Sequence, residues 1–185
     1  GDEVFVRDAQ TCDGGTLSNA TFDSATGAGS FDCTFADNGS YTVSVTVSDG
    51  DGGSDDDSLT VSVANLDPVV TLDGPATADE GDTVSYTFTI TDAGADSFSV
   101  DAFDCGADGT AGPLSFDGDS GSFDCTWADN YLGQDVSIAV SDDDGGTDSD
   151  AISVDIANVA PSADAGDDQT VDEGSEVTVN GTFTD

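Results

Sequence analysis

The decapeptide GSFDCTFADN at Gly29–Asn38 returns 92 residues later as GSFDCTWADN at Gly121–Asn130. A repeat at fixed spacing sets the folding unit, and so constrains the fold before any local propensity does. The match runs well beyond ten residues. VSDGDGGSDDDSLTVSVANLDPVV from Val47 is answered by VSDDDGGTDSDAISVDIANVAPSA from Val140, at an offset of 93. ADEGDTVSYTFTITD at Ala78–Asp92 is answered by VDEGSEVTVNGTFTD at Val171–Asp185, again at 93. The links ANLDP and ANVAP then bound a complete module at residues 65–157, preceded by a module at 1–64 without its first strands. Residues 158–185 read as the opening strands of a further module. The two partial pieces are complementary: were Gly1 to follow Asp185, GTFTD joined to GDEVFVRDAQTCDGG would match TITDAGADSFSVDAFDCGADG almost in register. The chain is therefore expected to be either a window on a longer tandem array or a subunit whose residues 158–185 complete residues 1–64 of the next.

Tyr86, Phe88 and Ile90 alternate with Ser85, Thr87 and Thr89, as in a half-buried strand. Val136, Ile138 and Val140, and Ile152, Val154 and Ile156, repeat the pattern, and Phe123, Cys125 and Trp127 point one way while Asp124 and Thr126 point the other. Short alternating strands about every ten residues, separated by Gly and Asp turns and without helical periodicity, predict an all-β chain of tandem antiparallel sandwiches. Each module takes about 92 residues, the repeat offset.

Charge limits the partners. Forty acids face one base, Arg7, with no His, for a formal net charge of −39. Nucleic acid and anionic membrane are excluded, since both are bound by positive charge that displaces their counterions. The 36% apolar content, in alternating patterns, argues against a disordered acidic tail. A folded chain of this charge needs salt or bound cations to screen its self-repulsion. A hypersaline medium or extracellular calcium meets that need, and the lack of Lys favours salt, hence a halophilic or marine microbe. No apolar run reaches the roughly 18 residues of a membrane span and no signal segment opens the chain, which reads as a mature or excised segment without direct membrane insertion.

Cys12 with Cys33 and Cys105 with Cys125 form two similarly spaced pairs, read as disulfides of an oxidising, extracellular or cell-surface location. Zinc is the competing reading, but neither a CxxC nor a His accompanies them.

APSADAGDDQTVDEGSEVTVNGTFTD and ADNGSYTVSVTVSDGDGGSDDDSLTVSV resemble the opening and closing strands of the polycystic kidney disease (PKD) domain family. The resemblance implies tandem immunoglobulin-like sandwiches of secreted and surface proteins. The family's central WDFGDG is altered here to FDCGADG at Phe103–Gly109, with Cys105 in place of an aromatic.

Ca²⁺ takes about 6 to 8 oxygens at about 2.4 Å. Asp49, Asp51, Asp55 and Asp57 in one Gly-Gly turn, and Asp142, Asp144, Asp148 and Asp150 in its copy, offer alternating carboxylates for it, although the spacing is not that of an EF-hand. The alternative is a solvated acidic turn. A weaker candidate is the DEG turn, Asp79-Glu80 and Asp172-Glu173, which with Asp67 of the linker can hold a metal at a module junction. Asn19, Asn38 and Asn180 open N-x-Ser/Thr sequons for glycosylation. Without His or Lys no nucleophilic triad can form, and forty acids make any carboxylate pair uninformative, so no catalytic residue is assigned and the chain is not expected to be an enzyme.

The leading expectation is a structural unit of an extracellular filament, stalk or surface layer, its partners copies of itself arranged head to tail, joined by strand complementation and stiffened by calcium. The alternative is a spacer, or a glycan- or protein-binding module, of a secreted hydrolase or adhesin, which predicts an exposed aromatic platform.

Overall fold

The computed structural model describes residues 4–185. Sixteen strands follow in order: β1 (Val6–Cys12), β2 (Thr16–Asp23), β3 (Ala28–Thr34), β4 (Gly39–Ser48), β5 (Ser54–Val63), β6 (Val69–Asp73), β7 (Thr77–Asp79) and β8 (Thr83–Thr91). β9 (Phe98–Asp104), β10 (Gly109–Ala111), β11 (Ser115–Phe116), β12 (Ser120–Trp127), β13 (Gln134–Asp142), β14 (Thr147–Ala157), β15 (Ser162–Asp164) and β16 (Thr182–Thr184) complete the chain. Among the described residues there is no helix.

The described chain divides into two compact units. One holds the residues up to Val70 with Thr89–Asp101 and Ala139–Ser149; the other holds Thr71–Phe88, Ala102–Ile138 and Asp150–Asp185.

In the first unit, β1, β4 and β5 form an antiparallel sheet in the order β1-β4-β5, and β2 pairs with β3 as a separate hairpin. Long β4 and β5 run in unbroken register from Gly39↔Val63 to Ser48↔Ser54, which leaves Asp49–Gly53 as the turn. Asp49 closes that turn by accepting hydrogen bonds from the amides of Asp51 and Gly53, both at 2.9 Å, the habit of an Asp that starts a tight turn. Cys12 and Cys33 are bonded to each other.

Strands β6 to β14 form a sheet in the order β10-β12-β8-β6, with β11 also on β12, and a second in the order β7-β14-β13-β9. β7 joins β14 in parallel; the pairs β10–β12 and β11–β12 are antiparallel. Alternation along these strands puts Tyr86 and Phe88, Phe123, Cys125 and Trp127, Val136 and Ile138, and Val154 and Ile156 inside. In the second unit the two sheets meet face to face where the Phe103 and Phe123 rings approach to 5.2 Å, and the Cys105–Cys125 bond lies among these buried side chains.

Candidate metal centre and open sheet faces

The turn between β13 and β14 repeats the chemistry of the β4–β5 turn. Asp142 accepts from the amides of Asp144 (3.0 Å) and Gly146 (2.7 Å), and also from the side-chain amide of Asn65 in the ANLDP link (2.8 Å). A Cβ at Gly146 would lie 2.9 Å from Asp67 Oδ1 and against the Asp142 carboxylate, so a side chain there would displace these polar groups. The Asn65 hydrogen bond, with those of the turn amides, outweighs burial and holds the Asp142 carboxyl below its usual range. A carboxylate with a depressed folded-state pKa contributes stability above its unfolded pKa and loses that contribution as pH falls through the folded value. Asp142→Ala is therefore expected to destabilise the protein at pH 7, and thermal melts of variant and parent are expected to converge as pH drops below the ordinary carboxylate range.

The other acids of these hairpins have separate duties. Asp148 Oδ2 accepts the Val70 amide at 2.8 Å, and Asp150 Oδ2 accepts the Leu72 amide at 2.8 Å, so both hold β6 in place. Their counterparts Asp55 and Asp57 are exposed, as is Asp51, and among the described residues neither carboxylate of that pair accepts an amide from a β6-like strand. Asp79 lies in the β7–β14 pairing opposite Ala157, and Glu80 Oε1 accepts the Val159 amide at 2.8 Å in the ANVAP link. Asp172 and Glu173 sit in an exposed turn. Of the sequon residues, Asn19 is exposed and donates to Asp32 at 2.8 Å, Asn38 is half-buried and Asn180 is exposed.

Among the described residues, one group of three acids brings its oxygens within 4.8 Å of one another: Asp37, Asp96 and Asp144. Asp37 comes from the β3–β4 loop, Asp96 from the β8–β9 loop and Asp144 from the β13–β14 turn. Asp96 Oδ2 is buried and has no hydrogen-bond partner. Burial raises the Asp96 pKa, helped by the negative charges of Asp92, Asp37, Asp142 and Asp143. An orphaned carboxylate oxygen among like charges is a group that a hard cation satisfies, so the donor set suits calcium. Sequence reading identified Asp144 alone of the three. Asp37 lay in the repeated ADN and Asp96 in DAGAD, and nothing local distinguishes either from the other acids; three loops far apart in sequence bring them together.

A second feature is the exposure of sheet faces in residues 4–63 and 158–185. In β4 the inward Val43, Val45 and Val47 are only half-buried, whereas their counterparts Val136, Ile138 and Val140 are at most 1% exposed. At the other end of the chain β15 and β16 pair only with each other, and residues 158–185 are exposed throughout. Phe183 is 83% exposed, while Ile90, its counterpart at the 93-residue offset, is 4% exposed.

No protein-family model matches the chain, and no curated protein sequence matches it. Among solved structures, the chain is similar to the adhesin InvE of Yersinia pseudotuberculosis, at 18% identity over 82% of this chain, with a TM-score of 0.35. The chain spans about half, 49%, of the length of that adhesin.

Proposed function

We propose that this chain is a structural repeat of an extracellular filament, stalk or surface layer, made of PKD-type immunoglobulin-like sandwiches set end to end. One observation carries the reading: residues 158–185 expose an apolar face whose counterpart in β6 and β8 is buried, while residues 4–63 hold an open face of the complementary kind. Two bonded cysteine pairs suit an oxidising compartment outside the cell. A glycan-binding module draws less support, because among the described residues Phe183 is the only aromatic of the strongly exposed large apolar residues and no platform accompanies it. The mass of native material is the test. Under denaturing, reducing conditions a band near 18.5 kDa identifies separate subunits of an assembly, and a much larger band identifies a covalent tandem array. Material of 18.5 kDa under native conditions as well overturns the proposal.

Calcium belongs to the same reading. Asp37, Asp96 and Asp144 would hold the ion, which would tie the β3–β4 loop to the two loops of the following segment and stiffen the junction. A ligand at about 100 times its Kd stabilises the folded state by about 2.7 kcal/mol. Calcium added after chelation is therefore expected to raise the melting temperature. Asp96→Asn is expected to move two readings in opposite directions, raising the melting temperature in chelator by removing a repelled carboxylate and abolishing the rise with calcium. An unchanged response to calcium in that variant would remove the site.

A further inference from the structure

The complete segment shows what the open face of residues 4–63 lacks. In the segment 65–157, Phe116 pairs across the sheet with Gly121. Phe88 of β8 stacks on Phe116 with ring centres 5.9 Å apart, and lies so close to Gly121 that a Cβ there would be 2.5 Å from the Phe88 ring. In residues 4–63 the same pair recurs as Phe22 opposite Gly29. Both residues line a groove of about 210 Å³, together with Arg7, Gln10, Val45 and Val47. Among the described residues no β8-like strand occupies it.

The groove differs from the matching residues of segment 65–157 at several lining positions, Gln10 for Phe103 and Val45 for Ile138 among them, and at Arg7. Arg7, the only base in the chain, places its guanidinium over the Phe22 ring, 5.7 Å from the centre, and donates to the Thr21 carbonyl at 3.1 Å. The distance to the ring is close to the 5.9 Å between Phe88 and Phe116. At the 93-residue offset Arg7 corresponds to Val100, and Phe88 corresponds to Gly181. The strand that would fill the groove thus carries no side chain at the one position where Arg7 already covers the aromatic ring. Both repeat positions change together along the sequence: Val100 and Phe88 occupy them in residues 65–157, Arg7 and Gly181 in the two terminal pieces.

Three polar positions are complementary in the same register. Asn65 donates to Asp142, and Asp148 and Asp150 receive the amides of Val70 and Leu72. At the repeat offset these become Asn158 facing Asp49, and the amides of Ala163 and Ala165 facing Asp55 and Asp57. The last two carboxylates are exposed in residues 4–63.

From this we infer that residues 158–185 of one chain dock into the open sandwich of residues 4–63 of a second copy in the register of β6 and β8, with Gly181 over the Arg7–Phe22 pair and Phe183 in the place of Ile90. The inference rests on the end-to-end reading above and specifies its joint. Main-chain pairing and buried apolar side chains supply the affinity, as in other added-strand interfaces. The Arg7–Gly181 pair fixes register, because a strand displaced by two residues would press Val179 or Phe183 on the guanidinium. Each copy carries a large negative charge, so association strengthens with salt; at about 1 M the Debye length falls to about 3 Å.

Sedimentation of the full 185-residue chain in about 1 M salt tests the joint, with a swap of the pair. The parent is expected to form concentration-dependent, end-to-end oligomers. Gly181→Phe is expected to weaken association at least tenfold by colliding with Arg7. Arg7→Val with Gly181→Phe restores the residue types found at the same repeat positions, Val100 and Phe88, and is expected to restore association to within about threefold of the parent. Asp55→Ala with Asp57→Ala is expected to weaken it without shifting the unfolding of the complete sandwich. Oligomers in which the Arg7 and Gly181 effects are merely additive overturn this joint and leave the end-to-end reading in place. A parent that stays a monomer at hundreds of micromolar overturns this joint, while the end-to-end reading is decided separately by the mass of the native material.

Discussion

Trp127→Ala is expected to lower the unfolding free energy by about 3 to 5 kcal/mol, the usual cost of deleting a fully buried aromatic side chain from a core that relaxes only in part. The residue is 1% exposed, and its indole Nε1–H donates to the Cys105 carbonyl at 3.0 Å. Gly109 lies opposite it in the β10–β12 register, where a Cβ would come within 2.7 Å of Nε1. The indole therefore fits a slot shaped on one side by an absent side chain and anchored on the other by a backbone acceptor. Trp127→Phe separates these contributions. It keeps much of the ring and makes the two decapeptides identical, since Phe35 holds this place in the first copy. The Cys105 carbonyl is then left without its donor, at a cost of about 1 to 3 kcal/mol. Denaturant unfolding followed by far-UV circular dichroism should place the phenylalanine variant between parent and alanine variant. An alanine variant within about 1 kcal/mol of the parent would mean that the indole is not part of the core.

Replacing Cys105 and Cys125 together by Ala is expected to cost about 3 kcal/mol, from the conformational freedom that a 20-residue loop regains in the unfolded chain. Alanine is the right substitute because both cysteines are almost wholly buried, so a hydroxyl would add an unsatisfied polar group. Trp127, the only tryptophan, reports the transition by fluorescence. The Cys12–Cys33 pair closes a loop of nearly the same length, with a sequence separation of 21. The unfolded-state contribution is then nearly equal, and the matching double alanine variant is expected to lose a similar amount, read by circular dichroism of the whole chain. A loss near zero at Cys105–Cys125 would show that the buried sheets hold the segment without the crosslink.

Most of the fold was legible along the chain. Period-two alternation at Tyr86–Phe88–Ile90 and Val136–Ile138–Val140 marks strands because side chains on a pleated backbone point alternately to its two faces. The similar spacing of the two cysteine pairs announced their bonding, and the structure joins Cys12 to Cys33 and Cys105 to Cys125. The acidic hairpins were harder to read. Asp49 and Asp142 close turns, and Asp148 and Asp150 hold the amides of β6. A carboxylate spacing that suits a cation suits a backbone amide equally well, so spacing alone does not separate the two duties.

The repeat, the alternation and the cysteine spacing are local or periodic properties, and by themselves they determined that the chain is all-β with antiparallel sheets and which cysteines pair. Only the tertiary structure decided which of the forty acids share a space. Asp37, Asp96 and Asp144 meet because three loops separated by dozens of residues fold to one place, and Arg7 gains its meaning only over the Phe22 ring. Electrostatic and stacking energies depend on distance through space, which period and offset along a chain do not encode.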